Sequence, residues 1–238
     1  EAIPLKKSIP MLFKNKYWVI LILFNLITQI TNSIAATSGT YYCKWIFGND
    51  NLVALAGALG FFATLVGFVV SKPIIAKLGV RKTIDFGVLG AAFTALIRCI
   101  IPTNFKVYIA VSVIGSFVQI PLMCLYGVLL AMVIDYNEYT YYNKMVGVSS
   151  GAIGIGTKIG SGVGSVILTA CLALGAYNPD LEVATTSMRY AIYAFSNYLP
   201  LIINLGLFVL FRFFDLEEKL PAIHEELARR RSQKSTEQ

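Results

Sequence analysis

From Val146 to Leu174 the chain carries a single charge, Lys158, among apolar and small residues. Such a segment has little choice of structure. In hydrocarbon it must satisfy its own backbone, and as a helix of ~1.5 Å rise per residue it crosses a ~30 Å layer. The Lys158 ammonium then lies roughly 18 Å deep, where a charge costs at least ~2.5–3.5 kcal/mol. It needs either a carboxylate or a watery cavity, so a structural ion pair and a functional cation are both open readings. Gly147, Gly151, Gly154, Gly156, Gly160, Gly162 and Gly164 supply small-xxx-small spacings along the same segment, which let helices approach closely.

The pattern recurs. Hydropathy gives six spans, at about 17–41, 52–75, 83–101, 107–134, 146–174 and 188–214, so the chain is expected to be an all-α polytopic membrane protein. Hydrophobic residues make up 56% of it, charged residues 14%, and the mean hydropathy is +0.68. Residues 1–16 are expected as a loop or linker inside a longer protein, and 215–238 as a tail. In that tail Leu216, Leu220, Ile223 and Leu227 form an apolar edge, predicting an interfacial amphipathic helix on which His224 is simply exposed.

The net charge of +7 does not point to nucleic acid, because it sorts by position. Lys6, Lys7, Lys14 and Lys16 precede the first span, Lys72, Lys77, Arg81 and Lys82 follow the second, Lys144 lies in the fourth connection, and Arg212, Lys219, Arg229, Arg230, Arg231 and Lys234 follow the last. Lys44, Lys106 and Arg189 fall at the other end. The positive-inside rule then predicts a multi-pass protein of the plasma membrane with both ends of this chain cytoplasmic. Arg98, one turn before Pro102, is expected to snorkel to the outer interface as an anchor.

Two spans carry polar stripes. In the first, Asn25, Gln29, Asn32, Ser33, Ala36 and Thr40 step by three and four. In the fourth, Ser112, Ser116, Gln119, Met123 and Tyr126 do the same, with Pro121 expected to kink the helix. Uncharged amides and hydroxyls on one face suit a neutral, hydroxyl-rich ligand. Interhelical hydrogen bonding is the alternative for any one of them.

Chemistry is scarce. GIGTKIGSG lacks the Gly-Lys-Ser/Thr order of a phosphate loop, and no strand precedes it. Cys43, Cys99, Cys124 and Cys171 show no ligand spacing and read as small apolar packers. A single tail histidine leaves no histidine-based acid–base centre. Asp135 and Glu138, three residues apart at the end of the fourth span, fit a charge network with Lys77, Arg81 or Lys144 better than a catalytic pair. No enzyme is expected.

These residues match a known pattern. KNKYW before the first span, YYCKWIFGN after it, AKLGVRK between the second and third, DYNEY, the spacing from DYNEY to Lys158, and the tail IHEELARRR together resemble the glycoside–pentoside–hexuronide:cation symporters. That is the melibiose-carrier-like branch of the major facilitator superfamily, and the likeness is to its C-terminal six-helix half. The sequence departs from the family at Met132, Asn137 and Val146, where the family has an acid, a glycine and a glutamate.

The resemblance implies one half of a fold of two six-helix bundles, each made of two inverted three-helix repeats. It implies sugar between the bundles and a coupling cation, Na⁺ or H⁺, held mainly by acids of an N-terminal half, with no other cofactor. Partners would be a sugar or glycoside, the cation, the bilayer and that half. Lys158 would couple to the cation site, Gln29, Asn32, Gln119 and Met123 would line the sugar cavity, and Asp135 and Glu138 would hold an inner gate. A lipid or drug carrier of the same fold, or a non-transporting membrane scaffold or enzyme subunit, is the alternative.

Overall fold

The computed structural model describes residues 5–236, and over them the chain is helical. Helix α1 (Leu5–Lys14) stands where a loop was expected, and only Asn15 separates it from α2 (Lys16–Trp45). Asn15 makes that junction: its Oδ1 accepts from the amides of Tyr17 and Trp18, two of the orphan donors at the start of α2. Its Nδ2 donates to Oδ1 of the fully buried Asn137 at 2.8 Å. The residue that replaces the family's glycine in DYNEY is therefore tied to the one that opens the first long helix.

Helix α3 (Leu52–Ile100) is followed by α4 (Phe105–Tyr141), α5 (Val146–Leu174), α6 (Thr186–Tyr193), a π turn (Ala194–Tyr198), α7 (Leu199–Phe211) and α8 (Leu216–Thr236). Among the described residues five helical stretches are long and apolar enough to cross a membrane, with α6, the π turn and α7 counting as one. Helix α4 continues through Pro121 as a single helix.

At 49 residues, α3 would extend for about 73 Å, more than twice a ~30 Å core. It does not run straight. Gly79 has φ 74° and ψ 178°, a conformation open to glycine alone, and it divides the run into arms of 52–78 and 80–100. The expected basic turn AKLGVRKT is thus a break of one residue.

Glu217 of α8 closes this break. Its carboxylate oxygens accept from the amides of Val80 (2.9 Å) and Arg81 (2.8 Å), the first orphan donors of the second arm. Glu217→Ala should lower stability by about 0.5–2 kcal/mol, the range for losing a helix cap. Thermal melting of the purified protein checks this, and an unchanged midpoint would rule the cap out.

The tail helix differs from expectation in where its apolar edge goes. Leu216, Ile223 and Leu227 are buried in the main core, with Leu12, Tyr17, Met132 and Phe214, rather than turned to a membrane surface. Asp215, just ahead of α8, is bonded by Lys16 (2.8 Å), Lys219 and Tyr17 (2.8 Å). These bonds hold its carboxyl well below the usual carboxylate range. The contact is at full strength above that range and is lost only as pH falls below it; because the group is only part-buried and screened by solvent, it adds little to stability.

Candidate functional site

Helix α2 lies at the centre of the site and packs most extensively on α5. Its partner on one side is α5, and glycines set the distance. A Cβ at Gly160 would stand 2.6 Å from the Leu26 carbonyl and 2.8 Å from Gln29 Cβ; at Gly164 it would meet the Ile30 carbonyl at 2.7 Å. Gly156, Gly160 and Gly164 are the buried glycines of this seam. Polar bonds follow the close approach: Asn25 Nδ2 donates to the Ile153 carbonyl (3.0 Å) and Thr157 Oγ1 (3.2 Å), and Ser33 Oγ to the Ser161 carbonyl (2.9 Å). So part of the first polar stripe serves helix packing.

Gln29 and Asn32 of that stripe face a cleft of ≈ 340 Å³ between α2, α4, α5 and α7, whereas Ala36 and Thr40 line no cleft among the described residues. Gln29 and Asn32 line it from α2, Gln119, Met123 and Tyr126 from α4, Thr157 from α5 and Asn204 from α7. The volume is within the ~300–1,000 Å³ of small-molecule sites. Four of the expected site residues, Gln29, Asn32, Gln119 and Met123, come together here. Thr28 and Thr157 were not foreseen. Thr28 stands three residues after Asn25 and four before Asn32, so the same steps of three and four pass through it, and the spacing could have found it.

The amides in this cleft divide by use. Asn204 Nδ2 is bonded to the Pro200 carbonyl (2.8 Å), and Asn25 is spent on the seam. Gln29, Asn32 and Gln119 make no side-chain hydrogen bond among the described residues. Thr28 Oγ1 and Tyr126 Oη are buried and likewise without a partner there. Phe24, Leu122, Met123 and Leu207 supply the apolar wall. Donors and acceptors set around an apolar floor are what a sugar ring, with hydroxyls at its rim and C–H groups on its face, would use.

A second cleft of ≈ 280 Å³ continues the first toward the other end of the bundle, and Thr31, Gln119 and Asn204 border both. Ser112 and Ser116 of the α4 stripe line it. So does Arg98, which was expected at the outer interface: its guanidinium lies over the Tyr108 ring, 4.8 Å from the centroid, and bonds Ser112 Oγ. The π turn adds Ser196, bonded by Ser38 (2.7 Å), while its neighbour Asn197 is buried behind the lining and donates to Tyr42 Oη (3.1 Å). Extra-residue turns of this kind re-aim side chains at functional places.

Lys158 lines neither cleft. One residue past Thr157, it is turned about 100° further round α5 and is exposed, with no acid within 4 Å among the described residues. Gly147, Gly151, Gly154 and Gly162 share its face, and a Cβ at any of them would meet nothing within 4 Å. Helix α5 therefore has two glycine faces, one filled by α2 and one open around Lys158.

At the basic end, Glu138 pairs with Lys144 (3.7 Å), as expected, and with Arg231 of α8 (2.8 Å). Asp135 bonds His224 Nε2 at 3.0 Å. Lys77 and Arg81 do not join them; Arg81 donates to the Phe214 carbonyl instead. His224 is exposed, as expected, yet it is one of three α8 side chains that hold the tail to the end of α4, with Arg231 on Glu138 and Arg230 on the Tyr139 carbonyl.

Comparison with known proteins agrees with this architecture. The chain is 19% identical over 228 residues to a candidate glycoside/cation symporter of Escherichia coli (strain K12), covering 95% of this chain and 50% of that protein. It is 28% identical over 184 residues to an isoprimeverose transporter of Lactiplantibacillus pentosus (74% and 37%), and 23% over 206 residues to an uncharacterized symporter of Bacillus subtilis (strain 168) (86% and 44%). The chain spans half or less of the length of these relatives. Residues 1–218 match the family described as MFS/sugar transport protein. The likeness to the glycoside/cation symporters thus holds at the level of the family, and this multi-pass membrane chain belongs to the MFS/sugar transport proteins, a family of transporters and not of enzymes.

Proposed function

We propose that the chain is one six-helix half of a carrier that moves a sugar or glycoside together with a cation by alternating access. The observation that carries the substrate side is the trio Gln29, Asn32 and Gln119. These are three amides on two helices, aimed into one cleft and unspent on the protein's own hydrogen bonds.

The break at Gly79 supports six crossings, because the arms of α3 are each long enough for one. Six crossings in two sets of three would be the paired inverted repeats of the fold. The open glycine face of α5 supports a second bundle packed against it, bringing the carboxylates that Lys158 lacks here. Those acids would hold the Na⁺ or H⁺, and Lys158 would couple that site to the sugar. The basic end, with α8, would face the cytoplasm of a cell whose plasma membrane holds the carrier. There Asp135 and Glu138, locked to His224, Lys144 and Arg231, would hold the inner gate.

Calorimetric titration of the purified full gene product with neutral glycosides, with and without Na⁺ and at two pH values, tests this reading. A sugar should bind, and more tightly with the coupling cation. Gln119→Ala should weaken binding by about tenfold, as for loss of a hydrogen bond or two. A scaffold or a carrier of apolar ligands would bind no sugar under any of these conditions.

A further inference from the structure

Arg98 carries the one formal charge in the two clefts, and it is unusually placed. Of the five N–H donors of a guanidinium, the only one with an acceptor among the described residues is on Nη2, bonded to Ser112 Oγ. Nε is buried and has none. No carboxylate of the described residues lies within 4 Å. The group is nonetheless held in place. Ser112 Oγ, which donates to the Tyr108 carbonyl (2.6 Å), keeps its lone pairs for the guanidinium, and the Tyr108 ring covers one face of it. A cation fixed in orientation and left without an anion is arranged to receive one.

We infer that the second cleft is an oxyanion subsite, and that the carrier's substrate is an acidic glycoside of at least two rings. The size follows from the helix. Ser112, at the level of Arg98, and Gln119, shared by both clefts, are seven residues apart on α4, about 10 Å of rise. That exceeds the reach of a carboxyl group on the ring that Gln119 and Gln29 hold. The acid belongs on the next ring, with the neutral ring in the first cleft. A planar fork of donors suits a carboxylate or a sulfate ester alike, and hydroxyls of Ser112 and Ser116 would serve the rest of that ring. The inference rests on the carrier reading and narrows it.

The test uses the full gene product with three probes: an aldobiouronic acid, its carboxyl-reduced neutral form, and the neutral disaccharide carrying one sulfate ester. Wild-type protein should bind the aldobiouronic acid about 10- to 100-fold more tightly than the reduced form, the scale of a charge-assisted hydrogen-bonded pair. Arg98→Gln should erase most of that ratio, and Arg98→Lys should restore part of it. Equal preference for the sulfate ester would assign the subsite to oxyanions in general, and preference for the carboxylate alone to uronates. Equal or tighter wild-type binding of the neutral form would overturn the inference while leaving the carrier reading intact. So would equal losses for acidic and neutral probes in Arg98→Gln, as expected if Arg98 pairs with a protein carboxylate. Binding of no probe, and of no neutral sugar, would overturn both.

Discussion

Lys158→Ala in the full gene product should reduce concentrative uptake to background while leaving the amount of protein in the membrane near wild type. The two halves of this expectation have separate causes. Membrane levels should hold because the side chain is exposed on α5 and bonded to nothing among the described residues, so its removal opens no cavity and strands no partner in this bundle. Uptake should fail because an intramembrane cation survives only with a function or a partner to offset its insertion cost. On the proposed reading that partner would approach the open glycine face, where an added Cβ meets nothing within 4 Å. Tracer accumulation in energised vesicles, scaled to carrier content, is the measurement. Accumulation at the wild-type level would remove Lys158 from the coupling mechanism, and Lys158→Arg separates charge from shape.

The fold was legible in this sequence to the extent that hydropathy and spacing are local properties. A span at about 146–174 was expected, and the structure has helix α5 (Val146–Leu174) there, bounded by the αL residue Met145 and by Gly175. The glycines of α5 announced close packing, but not that Gly156, Gly160 and Gly164 would meet α2 while Gly151 and Gly154 met nothing; that depends on the rotation of one helix against another. The α4 stripe lines the two clefts as its spacing implied, since every member projects from one face of one helix. The α2 stripe divided because two neighbours, α5 and the cleft, compete for it. Arg98 looked like an interface anchor because it is one turn from a helix end. The turn through Pro102 brings Tyr108 back beneath it, a contact that sequence spacing does not show. The apolar edge of α8 was plain, but whether lipid or protein covers such an edge is decided by what lies next to it. Here Glu217 and His224 fix it to the bundle.

Gly160→Ala and Gly164→Ala should each destabilise the protein by about 1–3 kcal/mol, the cost of overpacking a well-packed contact. Alanine is otherwise favoured over glycine inside a helix by ~1 kcal/mol, so the sign itself is diagnostic. The atoms in the way are main-chain: the Leu26 carbonyl at 2.6 Å for Gly160 and the Ile30 carbonyl at 2.7 Å for Gly164. A carbonyl of a hydrogen-bonded helix cannot turn aside as a flexible side chain can, so α2 and α5 must separate. Separation stretches the Asn25 bond to Ile153 and the Ser33 bond to Ser161, and moves Gln29, whose Cβ lies 2.8 Å from the added methyl group. Sugar affinity should therefore fall with stability, although neither glycine lines the cleft. Gly206→Ala on α7 is the control, since a Cβ there meets nothing within 4 Å and the gain in helix propensity should show unopposed. Melting of the purified variants should place both α5 substitutions below wild type and Gly206→Ala at or above it. If all three melt together, the α2–α5 seam is looser than the structure has it, and with it goes the geometry that sets Gln29 opposite Gln119.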